Sequence, residues 1–217
     1  MSDAATLARI RLNPHSRDVQ RDLRDAAQMH KTLMRLVPDD LGDTPRHNSG
    51  LLFRVDETEQ TSTLLVQATT PLDVRRLPAG YGHTEIKNLA PMFAALRKGL
   101  TVRYRTTVDP AKRERLPMEQ KNTRGKITPL TGAEADQWWT RRAAAAGLDL
   151  HTLLPTPLRL VRSATGGGSP LRHSLTRYDG TATVTDPDAL TTALVNGIGR
   201  SKTYGAGLLS LAPTSTA

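Results

Sequence analysis

Cysteine is absent from the 217 residues, which excludes disulfides, thiolate nucleophiles and cysteine-ligated zinc. Aromatic residues are scarce at 4% (two Phe, two Trp among them), a poor supply for the platforms on which single-stranded bases stack. No segment approaches the roughly 18 apolar residues of a membrane span, and the start, Met-Ser-Asp-Ala-Ala-Thr-Leu, lacks the cationic and apolar regions of a secretory signal. A soluble cytoplasmic protein is the expectation. Acidic residues number 21 against 30 Lys and Arg, a formal charge of +9. Such a surface attracts polyanions, and with few aromatics the best fit is backbone or groove contact with a structured nucleic-acid duplex.

What the chain does have is periodicity, arranged for two small domains of about 100 residues each. Leu7 to Leu12 alternates as a half-buried strand, and Asn13-Pro14 ends it. From Ser16 to Val37 the pattern is helical, yet Asp25-Ala-Ala-Gln28 has capping-box spacing. A short helix, a break near Asp22 to Asp25 and a second helix to about Val37 are predicted. In the second helix Met29, Leu33 and Leu36 form the buried stripe, and His30, roughly 100° around from Met29, falls at its margin.

Leu51–Val55 and Thr63–Gln67 read as a hairpin, and residues 70–99, with Pro71, Pro78 and Pro91, as an irregular boundary. Alternation returns at Leu100–Thr106. A basic loop from Lys112 to Lys126 comes next, then a helix from Thr131 to Ala146 closed by Gly147, whose Trp138-Trp139 suits core or domain packing. Residues 158–162 and 171–184 flank a Gly-rich tip as a second hairpin; Asp186-Pro187 opens the last helix, and Leu208–Ala212 is the final strand. The predicted fold is α+β: two tandem ferredoxin-like (RRM-like) βαββαβ domains, the first degenerate, over residues 1–90 and 91–217.

Gly197-Ile-Gly-Arg-Ser-Lys-Thr-Tyr-Gly-Ala-Gly207 has an anion-loop composition. It lies after a helix and before a strand, the reverse of a dinucleotide fingerprint, and Ser201 rather than glycine precedes Lys202, so a P-loop fails too. Two readings stay open: backbone N–H groups lining an anion site, or a tight turn whose glycines permit close packing.

This stretch, continued to Pro213, resembles the C-terminal glycine-rich motif of the CasE-type CRISPR repeat endoribonucleases, the processing subunit of the type I-E Cascade complex. Leu12-Asn-Pro-His-Ser-Arg-Asp-Val-Gln-Arg-Asp-Leu23, Met29-His-Lys-Thr-Leu33, Leu64-Leu-Val-Gln67 and Val184-Thr-Asp-Pro187 extend the likeness in the expected order. The resemblance implies an endoribonuclease that binds the hairpin of a CRISPR repeat transcript and cuts at its 3′ base without metal. It leaves 2′,3′-cyclic phosphate and 5′-hydroxyl ends and keeps the crRNA hairpin within Cascade. Partners are then the crRNA and other Cascade subunits, with no membrane; no metal and no cofactor is expected.

Metal-free cleavage needs a base near the attacking 2′-hydroxyl, an acid near the leaving oxygen and cations for the developing charge. His30 matches the family's catalytic position, as general acid or base, and Lys31 with Arg35, one turn apart, or Lys202 are the candidate stabilising cations. Family members often have a tyrosine three residues before the histidine; here Ala27 stands there, with Tyr204 as a substitute. That departure keeps a non-catalytic hairpin-binding subunit as the alternative. For RNA binding the candidates are Arg159, Arg162, Arg172, His173 and Arg177 on the second hairpin, and Arg17, Arg21 and Arg24 as a second electrostatic patch. Gly197, Gly199, Arg200, Lys202, Gly205 and Gly207 of the terminal loop complete the set, the glycines admitting phosphate to the backbone. The cations of the Lys112–Lys126 loop fit either an arm on the RNA or assembly, or a solvated surface.

Overall fold

Strand β1 (Thr6–Leu12) buries Ala8, Ile10 and Leu12 and leaves Arg9 and Arg11 in solvent, in the computed structural model that describes residues 5–114, 125–158, 161–163 and 171–214. Ser16 caps α1 (Arg17–Arg24) by accepting from the Val19 amide. Asp25 is extended and serves as both the end of α1 and the cap of α2 (Ala26–Met34), which realises the predicted break. A single turn, α3 (Pro45–Asn48), leads into β2 (Leu52–Glu57) and β3 (Ser62–Ala68).

The supposed irregular stretch holds a further strand, β4 (Gly82–Asn88), antiparallel to β1 in the sheet order β2-β3-β1-β4. Its side chains are almost all exposed. An edge strand of His83, Thr84, Glu85 and Lys87 carries no apolar alternation to announce it, and such charge protects an edge from pairing with other chains. Between β3 and β4 only a 3-10 turn, Val74–Arg76, takes the place of a second helix.

After α4 (Ala90–Ala95) the second half comprises β5 (Thr101–Val108), β6 (Ala111–Arg113), β7 (Ile127–Pro129), α5 (Gly132–Ala145), β8 (Leu148–Leu150) and β9 (Leu154–Pro157). Then come β10 (Val161–Ser163), β11 (Leu171–His173), β12 (Thr176–Val184), α6 (Pro187–Asn196) and β13 (Leu209–Pro213). The sheet runs β13-β5-β12-β8, and β9 pairs with the other end of β12. The hairpin predicted from residue 158 therefore starts earlier, in β9, and its outer part is a separate two-stranded ribbon of β10 and β11. The basic loop is likewise bounded by strands, β6 against β7; Arg115, Lys121 and Arg124 lie outside the described residues.

Each sheet has its own core. Met29, Leu33, Ile10 and Tyr81 pack on the first. Trp139, fully buried, stacks on Tyr178 at 5.7 Å between centroids and anchors the second, with Trp138 beside it. Links between the halves include the Gln67 amide, which donates to the Leu194 carbonyl at 2.7 Å, one Arg54 Nη, which donates to the carbonyls of Arg105 and Leu208 at 3.1 and 3.2 Å, and an Arg105–Asp56 ion pair at 3.6 Å. Arg54 is 2% exposed and its remaining fork binds Asp56 at 2.8 and 3.0 Å, so this buried charge is compensated. No helix among the described residues is long and apolar enough to cross a membrane.

Candidate functional site

The phase of α2 is set at Asp25, whose carboxylate accepts from the Ala27 amide at 2.9 Å. Met29 and Leu33 then point into the core and His30 is half-buried beside them, with Nδ1 shielded from solvent and without a hydrogen bond. Burial first, and the charge of Arg46 second, hold the His30 imidazole below its ordinary pKa. Lys202 feels the same two influences in the same order and is also lowered. Arg46 is thus the charge that both feel; its own guanidinium is lowered by burial and donates to the Leu51 carbonyl at 3.3 Å.

This convergence comes from packing: α2 lies against the 3-10 turn Lys202–Tyr204 of the glycine loop and against the backbone of β10. Two segments roughly 170 residues apart in sequence thus meet, and Lys202 Nζ is steadied by the Asn196 carbonyl at 2.7 Å. Lys31 and Arg35, expected as the stabilising cations, are exposed on the solvent side of the helix. Arg46 was missed by sequence reasoning because it lies in a turn-rich segment with no pattern; only its adjacency in space reveals it.

In the loop the glycines answer to protein. A Cβ on Gly197, at φ +72°, would sit 2.7 Å from Leu52 Cδ2, and one on Gly207, at φ +92°, 2.9 Å from the Ile198 carbonyl. Gly199 faces Trp138 and Gly205 faces Phe53. The close-packing reading accounts for all four, so the expected entry of phosphate to the backbone is not needed to explain them; Gly205 and Gly207 are buried.

A buried carboxylate holds the loop down. Asp109 Oδ2 accepts from Ser201 Oγ, lies 3.3 Å from His173 Nδ1 and 3.4 Å from Arg200 Nε. Burial pushes the Asp109 pKa up, and the hydrogen bonds of His173 and Ser201 with the charge of Arg200 outweigh it, leaving the carboxyl below its ordinary value. Ser201 adopts φ +59°, the one non-glycine residue there among those described, a conformation that surrounding contacts must maintain. His173 stacks on Tyr204 at 4.3 Å. Expected on an RNA-facing surface, His173 is instead 6% exposed and ties β11 to the glycine loop.

The other candidates lie around this centre. Arg17 and Arg24 are exposed on α1, and with Arg21 they line a shallow groove; Arg21 is also committed to Asp18 and Asp22 at 2.7 and 2.8 Å. Arg177 binds Asp179 at 2.9 Å and lines a cleft of about 600 Å³ between the halves, whose walls include Arg24, Met29, Phe53 and Tyr204. Arg159 lies outside the described residues, and of Arg162 and Arg172 only the backbone pairing is described. Among the described residues no three His, Asp or Glu side chains converge as metal ligands would.

The sequence matches the family described as CRISPR associated protein over residues 7–213. It is 30% identical over 220 aligned positions, 95% of this chain and 99% of the relative, to the CRISPR-associated endoribonuclease Cse3 of Thermus thermophilus. To the Cascade subunit CasE of Escherichia coli K12 it is 26% identical over 88% of this chain and 93% of the relative. The structure of Thermus thermophilus Cse3 bound to an RNA representing a pre-cleavage complex matches with a TM-score of 0.79 at 29% identity, covering 97% of this chain and 100% of that one. A chain of a CRISPR RNA-guided surveillance complex matches with a TM-score of 0.71 at 39% identity over 96% of this chain and 100% of that one. With the α+β architecture and a matching sequence from first strand to last, the chain belongs to the CRISPR-associated protein family of Cse3 and CasE.

Proposed function

We propose that this chain is a metal-independent endoribonuclease that cuts the hairpin of a CRISPR repeat transcript and retains the crRNA hairpin within Cascade. The two sheets are read as tandem ferredoxin-like domains, supported by their strand orders. One observation carries the site: α2, which bears half-buried His30, packs against the 3-10 turn of the glycine loop that bears Lys202, and the charge of Arg46 is felt by both side chains.

In the reaction the 2′-hydroxyl oxygen attacks the adjacent phosphorus, its proton passes to a base, and the P–O5′ bond breaks as O5′ gains a proton. The products are a 2′,3′-cyclic phosphate and a 5′-hydroxyl. An imidazole with a lowered pKa is largely neutral near pH 7 and can accept the first proton. Arg46 and Lys202 supply fixed positive charge to the pentacovalent phosphorane, whose extra charge appears only in the transition state.

The alternative, a hairpin-binding subunit without turnover, is motivated by Ala27. Incubation of wild-type protein and His30→Ala with the cognate repeat hairpin in EDTA, with end-group analysis, separates the two. Cyclic-phosphate product from wild type alone supports the enzyme; tight binding with uncut RNA from both selects the alternative.

A further inference from the structure

Bordering the glycine loop at Gly199 and Arg200 lies a groove of about 320 Å³ lined also by Lys112, Arg113, Arg142, Trp138, Ile127 and Asp109. Four cations reach it from three places in the chain: β6, α5 and the glycine loop. Each is steadied by one neighbour. Lys112 Nζ meets Glu134 at 3.2 Å, Arg113 Nη1 donates to the Gly125 carbonyl at 2.9 Å, and the Arg142 guanidinium lies 5.4 Å from the centre of the Trp138 ring. Arg200 holds the buried Asp109 at 3.4 Å.

These contacts use one donor each of the Arg113 and Arg200 forks and none of the Arg142 fork, and a guanidinium has five. Asp109 is the sole carboxylate in the lining, is 2% exposed, and is already committed to Ser201, His173 and Arg200. The groove is thus a set of cations from three segments that its one buried carboxylate does not neutralise, a local excess of positive charge that favours an anion. Trp138 is 8% exposed, so it offers little for base stacking, and phosphodiester oxygens suit the groove better than bases do. The glycine loop supplies continuity: Gly199 and Arg200 border the groove, and Lys202–Tyr204 lie on α2. The same loop therefore touches both the groove and the helix that bears His30.

We propose that this groove is a second RNA subsite, which binds the phosphates of the single-stranded flank that runs past the scissile phosphate on its 3′ side. The inference rests on the endoribonuclease reading, and the test keeps the two apart. Three RNAs carrying a 2′-deoxy block at the cut site are compared by fluorescence anisotropy over a salt series: the hairpin alone, the hairpin with a 3′ flank and the hairpin with a 5′ flank. Wild type is expected to bind the 3′-flanked RNA about tenfold more tightly than the hairpin alone. The slope of log K against log[salt] is expected to steepen by about 1.5, near that of two single-strand phosphate contacts.

Arg142→Glu, an exposed change on α5, should erase that difference while leaving hairpin binding and cleavage of the unblocked hairpin intact. Equal affinity of wild type for the three RNAs overturns the subsite, as does a gain confined to the 5′ flank or a flank gain that survives Arg142→Glu. Displacement of the flank by poly-glutamate with the hairpin still bound supports the groove as the flank's seat, whereas poly-glutamate bound with the flank undisturbed makes it a protein contact and overturns the RNA assignment. Loss of hairpin cleavage by wild type is a failure of the broader reading instead.

Discussion

The two sheets share one strand order and differ in the connection that leaves their third strand: a 3-10 turn, Val74–Arg76, in the first half and a full helix, α6, in the second. The fuller half does not hold the candidate imidazole. It lends a helix that runs into the glycine loop, and the loop is pressed on α2 of the plainer half. The candidate site lies at this seam, so a change at His30 should alter rate, and a change in the second core should alter stability.

The sharpest break in that comparison comes from His30→Ala. Loss of a positioned proton acceptor should lower single-turnover cleavage by about 10²- to 10⁴-fold while hairpin affinity and the melting temperature stay near wild type. A melting temperature that falls with the rate would move His30 into the core. The reverse profile is expected from Trp139→Ala, which empties the centre of the second core: about 3–5 kcal/mol by denaturant unfolding, with the chemistry of the remaining folded fraction unchanged.

Gly197→Ala addresses the seam itself. The new methyl meets Leu52 of the first half at positive φ, a cost of about 1–3 kcal/mol, and it should displace Lys202 and slow cleavage. Combining it with Leu52→Ala removes the clash but not the backbone strain. Partial recovery of the rate, seen as a coupling of about 0.5–3 kcal/mol in the double-mutant cycle, is the expected result, and strict additivity would place the loop elsewhere. Smaller still is Asp25→Ala, which removes the cap that phases α2; about 1 kcal/mol of stability should be lost.

Asp25 also shows what the sequence made legible. A capping pattern and an apolar stripe are local, so the break, the buried face of α2 and the half-buried place of His30 could be read in advance. The Trp pair and the first hairpin were visible for the same reason, whereas the start of the second hairpin was not, because β9, with Pro155 and Pro157, lacks the alternation of a strand. Nor was β4, because an edge strand is held by backbone pairing with β1 and its residues carry no apolar period. Arg46 and Asp109 were hidden by a different cause: each matters through partners remote in the chain, such as Lys202 for the one and His173 and Ser201 for the other. His173 looked like a surface cation among arginines, and only tertiary packing buries it.

The finest test of the seam is one of pH, since Arg46 from the first half acts on groups from both segments. His30 has a folded pKa below its unfolded value, so the unfolded chain binds the extra proton. Stability therefore rises with pH across the window between them: it is fully present above the ordinary histidine value near 6.5 and is lost as pH falls toward the lowered folded value. Cleavage that needs neutral imidazole has its acid limb at the lowered value and stays active somewhat below pH 6.5. Arg46→Gln removes the second of the two causes and leaves burial, the larger, in place. The His30 value then rises, the acid limb moves to higher pH, and the loss of stability on acidification becomes shallower. His30→Gln should remove that part of the stability slope altogether, and adding Arg46→Gln to it should change the slope no further on account of His30. A limb that stays fixed or moves to lower pH in Arg46→Gln would separate Arg46 from the imidazole and leave burial by the glycine loop as the cause of its neutrality.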